Sequence, residues 1–217
     1  MPILEYHVVG TPPADAPFPE LYVRRSAFAR QLRWLRRHGY QPVSLRRAYA
    51  YWTRGYALPP RPVVLSFDDG YREDFTNVRP LLLRYHWPAV LNLAVRNVLD
   101  RKLTLPQLRT MVRQGWEIDA HTLTHPDLTT LDAAELRHQV AGSRLWIRRR
   151  LKVPVDFFCY PSGRYDVAVL RAVRAAGFRG ATTEVQGAAS PTDGYLTLDR
   201  VRINGSDSLA AFAAKLG

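Results

Sequence analysis

Alternation of short β-rich runs with amphipathic helical patterns predicts an α/β fold for this chain, with parallel strands gathered into one sheet or barrel. Two further observations set its scale. The 217 residues, 47% of them apolar, suffice for one sizeable core and lie in the range where an α/β barrel remains a single domain. No repeat, low-complexity tract or run of about 18 apolar residues interrupts the chain, so no segment is expected to cross a bilayer as a helix. One domain over residues 1–217 is expected.

The first sixty residues differ in texture from the rest. A loop rich in proline (Pro12, Pro13, Pro17, Pro19) precedes a basic helix from about Ser26 to His38. On that helix Phe28, Leu32 and Leu35 share a face, and Arg30, Arg33, Arg36 and Arg37 surround it. This pattern points to a solvated face over a core stripe, with a docking surface as the alternative. Leu45, Ala48, Tyr49 and Trp52 then follow i, i+3, i+4, i+7 spacing, which points to packing; aromatics left exposed among Arg46, Arg47 and Arg54 would instead suit a membrane surface or a glycan.

From residue 63 the βα alternation is regular. Val63-Val64-Leu65-Ser66-Phe67 reads as a strand, followed by a helix near 73–86, a strand over Ala89–Val95 and a helix near 105–114. Trp116–Ala120 is the next strand, then a helix near 132–150, a strand over Asp156–Tyr160 and a helix near 165–176 ended by Gly177. Thr104 before Leu105-Pro106, Thr130 ahead of Asp132, and the turn at Gly163 supply the helix-start signals.

Charge and thiol content narrow the context. The formal charge of +12 is almost wholly arginine, since Lys102, Lys152 and Lys215 are the only lysines, and it predicts attraction to polyanions: nucleic acid, anionic lipid or acidic wall polymer. The arginines are dispersed and no nucleic-acid-binding module is present, so no specific nucleic-acid partner is expected. Cys159 is the sole cysteine, which excludes an intramolecular disulfide. The opening Met1-Pro2-Ile3-Leu4-Glu5-Tyr6-His7 lacks the basic and apolar regions of a secretory leader.

Three segments carry chemistry. Ser66-Phe67-Asp68-Asp69-Gly70 ends an apolar strand, where α/β proteins place reactive groups. A plain turn would use the same residues, but two adjacent carboxylates also permit one to ligate a cation while its neighbour takes a proton from water. His121-Thr122-Leu123-Thr124-His125-Pro126 follows the strand ending at Ala120, and a His-x-x-x-His pair can set two imidazoles on one side of a helical turn. Thr122 stands where a zinc protease needs glutamate, so that reading fails. With Asp69 the pair makes a two-histidine, one-carboxylate set that leaves positions open for water and substrate. Phe158-Cys159-Tyr160-Pro161-Ser162-Gly163 reads either as a turn into a helix or as a groove wall whose backbone N–H groups stabilise an oxyanion.

The order of these segments resembles the polysaccharide deacetylases of carbohydrate esterase family four, the NodB-homology domain, over roughly residues 60–205. The resemblance implies a distorted (β/α)₇ barrel, with residues 61–217 as its core, and hydrolysis of acetyl groups from N-acetylated sugars. It implies Asp68 as general base, Asp69, His121 and His125 as ligands of one divalent ion (zinc by default, cobalt or nickel as alternatives), and the Ser162 N–H as an oxyanion donor. Two departures stand out. Cys159 occupies the position of an arginine that orients the base, and no histidine follows His138 to serve as the acid. Leu4-Glu5-Tyr6-His7 is similar to the N-terminal strand of the permuted branch that includes the poly-β-1,6-N-acetylglucosamine (biofilm adhesin) deacetylases, which makes His7 the expected acid. Arg200, with Arg202 as its competitor on the same strand face, is the expected substitute for the missing arginine. The expected partner is an N-acetylglucosamine polymer, with an anionic membrane or wall surface as a further one; the expected state is a monomer working outside the cell or at its surface. A weakly active or non-catalytic glycan-binding module, or an amidase on a small amide, remain the alternatives.

Overall fold

In the computed structural model, which describes residues 1–217, seven parallel strands close into a barrel. They are β1 (Ile3–Tyr6), β2 (Pro62–Asp69), β3 (Val90–Leu93), β4 (Glu117–Ala120), β5 (Phe157–Cys159), β6 (Gly180–Gln186) and β7 (Leu198–Arg202). Strands β2 to β7 lie side by side in chain order, and β1 completes the ring between the two ends of that array. Its Leu4 registers with Val201 of β7 and also with Leu65 of β2. Residues 41–42 add a short edge strand beside Pro62 and Val63, and Val8–Val9 pairs with Tyr22–Val23.

Eight α-helices surround the ring: α1 (Arg25–Arg37), α2 (Leu45–Arg54), α3 (Arg79–Leu83), α4 (Val95–Leu99), α5 (Leu105–Arg113), α6 (Ala133–Leu151), α7 (Val167–Ala175) and α8 (Leu209–Ala214). None is long and apolar enough to cross a membrane. Phe28, Leu32 and Leu35 of α1 are buried, as the stripe predicted, and Phe28 meets Tyr6 and Phe67 edge-on with centroids 5.2 and 5.9 Å away. The capping residues differ in two places. Asp132 itself accepts from Ala134 and Glu135 N–H, so α6 does not start at Thr130, and Asp166, not the Gly163 turn, caps α7 through Val169 N–H. Each carboxylate sits just ahead of the first helical residue, where it reaches the orphan amides that the earlier residue cannot.

The helix expected over 73–86 is a π-helix over Asp74–Val78 that passes into α3. Pro80 has no N–H for the carbonyl four residues back, which disfavours a regular α-helix there, and His86 leaves at φ 55. Val95, expected to end a strand, instead begins α4, and β6 is a strand that the apolar patterning does not predict.

Two apolar clusters follow from the alternation of side chains along each strand. The larger, including Leu4, Leu65, Phe67, Leu91 and Ile118, lies between the ring and its helices. The smaller joins Ile3, Val64, Val90, Phe157 and Leu198 inside the ring to Leu45 and Ala48 of α2, which plugs the end where the strands begin. Above that plug the interior is polar: Glu5, Ser66, Asp68, Asn92, Asp119 and Arg200 are all buried. The apolar floor closes one mouth, and the reactive side chains collect at the other.

Candidate active site

Asp68 and Asp69 end β2, and the chain leaves them by a turn with positive φ at Asp69 (76°) and Gly70 (88°). At Gly70 a Cβ would stand 2.5 Å from Leu93 Cδ1, so the turn requires glycine for space as well as for φ. Asn97 Nδ2 donates to Asp69 O at 3.0 Å and holds the turn from α4.

His121 follows β4 directly and is buried. Its Nδ1 lies 2.7 Å from Cys159 O, and because a carbonyl only accepts, Nδ1 carries the proton and Nε2 keeps a free lone pair. That lone pair lies 3.6 Å from Asp69 Oδ1, and His125 Nε2 lies 3.6 Å from the same oxygen. The histidine pair does not sit on a helical turn. Thr122 (φ 69°) and His125 (φ 62°) are left-handed, His125 N–H donates to Thr122 Oγ1, and Gln139 Oε1 of α6 accepts from Leu123 and Thr124 N–H. Pro126 and these side-chain bonds win over helix propagation, yet the loop still brings both rings to one carboxylate.

The donor set fits a divalent cation. Tetrahedral ligation with bonds of about 2.1 Å places donor atoms about 3.4 Å apart, close to what the two histidine–Asp69 separations show. Asp68, His121 and Cys159 also converge, but burial pushes the Cys159 thiol well up and Asp68 is otherwise engaged. Burial likewise lowers the pKa of His121, favouring the neutral form that a metal requires.

Arg200 reaches Asp68 from β7. Its Nη1 donates to Asp68 Oδ1 at 2.9 Å, its Nη2 stands 2.9 Å from Oδ2 as an ion pair, and its Nε donates to Thr183 O at 2.7 Å. Asn92 Nδ2 adds a bond of 2.8 Å to Asp68 Oδ1. Burial, the largest single influence, would raise the Asp68 pKa, but the Arg200 guanidinium together with His121 and His7 holds the carboxyl well below the usual carboxylate range. Arg202 does not share this role: it pairs with Glu184 at 2.7 Å and lies 3.7 Å from Glu5.

His7, one residue beyond β1, lines the same groove as Asp69, His121, His125 and Ser162, and its Nδ1 is 3.9 Å from Glu5 Oε1. Glu5 is fully buried and also faces Arg200 Nη2 at 3.3 Å; burial raises its pKa, with Arg200 opposing. Ser162 holds φ 52°, ψ 25° in the turn after β5, where Gly163 and Arg164 N–H fold back on Tyr160 and Pro161 carbonyls. Glu5 and Asn92 are site residues that no motif marks. Their signal is an isolated polar residue inside an apolar strand, Ile3-Leu4-Glu5-Tyr6 and Val90-Leu91-Asn92-Leu93.

The groove encloses about 1010 Å³. One wall is the proline-rich loop, where Phe18 stands 67% exposed between Pro17 and Pro19; Glu20 pins that loop by accepting from Gly205 N–H through its carbonyl and from Ser206 Oγ. Arg96, Lys102 and Arg164 line the facing side.

A family model described as polysaccharide deacetylase matches residues 55–181. YxkH of Bacillus subtilis (strain 168), assigned by name to the polysaccharide deacetylases, is 28% identical over 215 residues, covering 99% of this chain and 75% of YxkH. The poly-β-1,6-N-acetyl-D-glucosamine N-deacetylase of Escherichia coli (strain K12) is 44% identical over 87 residues, 40% of this chain and 13% of that protein. Among solved structures, the Streptococcus pyogenes deacetylase PplD in complex with acetate superposes with a TM-score of 0.92 at 25% identity, covering 100% of this chain and 98% of that one.

Proposed function

Because the chain belongs to the polysaccharide deacetylase family, we propose that it hydrolyses the N-acetyl groups of an N-acetylglucosamine polymer, with poly-β-1,6-N-acetylglucosamine as the substrate and acetate as a product. The observation that carries this reading is the clamped Asp68 beside the Asp69, His121 and His125 triad, with His7 on the same groove.

Asp69, His121 and His125 would hold one divalent ion, zinc by preference and cobalt or nickel as substitutes. Such an ion polarises an amide carbonyl and makes nearby water more acidic. The remaining work belongs to side chains. Asp68, kept ionised and oriented by Arg200, accepts the proton of the attacking water. The Ser162 N–H donates to the oxyanion that forms on the acetyl carbon. His7 gives a proton to the departing nitrogen, so the amine leaves neutral and acetate departs separately. The exposed face of Phe18 receives a sugar ring of the polymer, because a pyranose offers an apolar face to stack on an aromatic one.

Acetate release from β-1,6- and β-1,4-linked N-acetylglucosamine oligomers, with and without chelator, tests the reading. Activity on the β-1,6 series that is lost on chelation and restored by added zinc is expected. Inactivity on every oligomer with metal content restored points instead to a glycan-binding module. Phe18→Ala should raise KM on hexamers about fivefold or more, by loss of roughly 1 kcal/mol of stacking, and leave kcat within about twofold. We further propose that the protein works as a monomer outside the cell or at its surface; sedimentation and fractionation of the native host check both points.

A further inference from the structure

The plugged end of the barrel carries a second groove. Two adjoining cavities, of about 400 and 510 Å³, share Tyr85, His86 and Trp87. They are bordered by the edge strand at Gln41 and by Gly115, just ahead of β4, which places them where strands begin. Asp69 and His121 stand where strands end, so the two grooves occupy opposite mouths of the barrel.

The chemistry of this groove is one-sided. Tyr85 and Trp87 pack with centroids 4.8 Å apart and are each half-buried, forming an aromatic floor. Around it stand three exposed arginines: Arg36, whose guanidinium lies over Tyr85 at 5.3 Å, Arg84 and Arg47. No carboxylate lines either cavity, and 21–67 and 75–99, which supply every lining residue except Gly115, hold no acidic residue; Glu117 and Asp156 at the same end are engaged by Arg46. Three like charges around one hollow repel each other unless an anion joins them.

We infer that this groove binds an anionic polysaccharide chain, separately from the deacetylation site. Guanidinium forks match carboxylate or phosphate groups, and aromatic rings take the apolar faces of sugar rings. A neutral glycan leaves the arginines without a counter-charge. A concave groove suits a chain better than the plane of a membrane.

The test is titration calorimetry of the metal-loaded protein with a galacturonic acid decamer, a phosphodiester-linked sugar oligomer of equal charge, a neutral N-acetylglucosamine hexamer and oligo-dT. Binding of an acidic sugar oligomer is expected, weakening about tenfold as salt rises from about 50 to about 200 mM, with no binding of the neutral hexamer at this groove. Arg36→Gln/Arg84→Gln should weaken that binding tenfold or more; Arg148→Gln/Arg149→Gln on α6, which removes the same charge elsewhere, should not. The Arg36/Arg84 variant should release acetate from short soluble oligomers at the wild-type rate, which also reports that it is folded. Equal losses in both double variants mean diffuse charge and overturn the proposal, as do tighter binding of oligo-dT, stronger capture by anionic vesicles, or no binding of either acidic oligomer.

Discussion

At the scale of single residues the site turns on one buried arginine. Arg200 faces two buried carboxylates, Asp68 and Glu5, so removing it leaves Asp68 without its cation and Glu5 with Arg202 alone, 3.7 Å away. Loss of one partner from a buried pair typically costs about 3–5 kcal/mol, and Arg200→Ala is expected to lower the melting midpoint and turnover together. A pH profile separates its catalytic from its structural part. The folded pKa of Asp68 lies below its unfolded value, so the stability it contributes is present above about pH 4 and fades as pH falls toward the folded pKa. In Arg200→Gln the acid limb of kcat/KM should move to higher pH, because Asp68 then protonates sooner; an unmoved limb would assign Arg200 a packing role only. His7→Gln should lower kcat about a hundredfold or more with bound metal unchanged, whereas Asp69→Ala should lose the metal as well, as measured by elemental analysis. Ser162→Ala should stay within about threefold of wild type, since the proposed donor is a backbone group.

At the scale of elements, β4 carries an unused acid. Asp119 is fully buried; its Oδ1 accepts from Phe157 N–H while Oδ2 has no partner, and burial, reinforced by Glu117, raises its pKa. A raised folded pKa means that its contribution is intact below about pH 4 and lost as pH rises through the folded value. Asp119→Asn keeps the acceptor for Phe157 and removes the ionisation, so urea unfolding at pH 8 should show a gain of about 1–3 kcal/mol that disappears at pH 4. Much of this level was legible in the sequence. The alternation of β runs and helical patterns placed most of the barrel's elements; Asp68, Asp69 and His121 were identifiable because each ends or directly follows a strand run, and His125 by its His-x-x-x-His spacing from His121. The loop shape of His121–His125 was not, since left-handed Thr122 and His125 depend on Gln139, which lies on a distant helix. Strand β6 escaped for a similar reason: Gly180–Gln186 has polar residues turned toward a polar interior, so hydropathy does not mark it. Glu5 and Asn92 gain meaning only once closure of the ring sets them beside Arg200 and Asp68.

At the scale of the whole molecule, two layers divide the labour. Apolar side chains between ring and helices, and the plug under α2, supply the packing, so the upper interior is free to hold charges that would otherwise be costly to bury. Strand β1 is the keystone of that arrangement, bonded on both sides and carrying Glu5 on to His7. Deleting residues 1–7 should therefore open the ring and abolish cooperative thermal unfolding, beyond merely removing an acid; a truncated chain with a wild-type melting curve would contradict this.

The same strand has a consequence for biosynthesis. β1 leaves the ribosome well before one of its two neighbours, β7, which begins at Leu198. Until β7 emerges, β1 must wait with an unmatched edge, a hazard for pairing with another nascent chain. The upper mouth of the barrel is therefore completed only after Leu198–Arg202 has emerged, when β7 brings Arg200 to the ring that β1, leading into His7, closes.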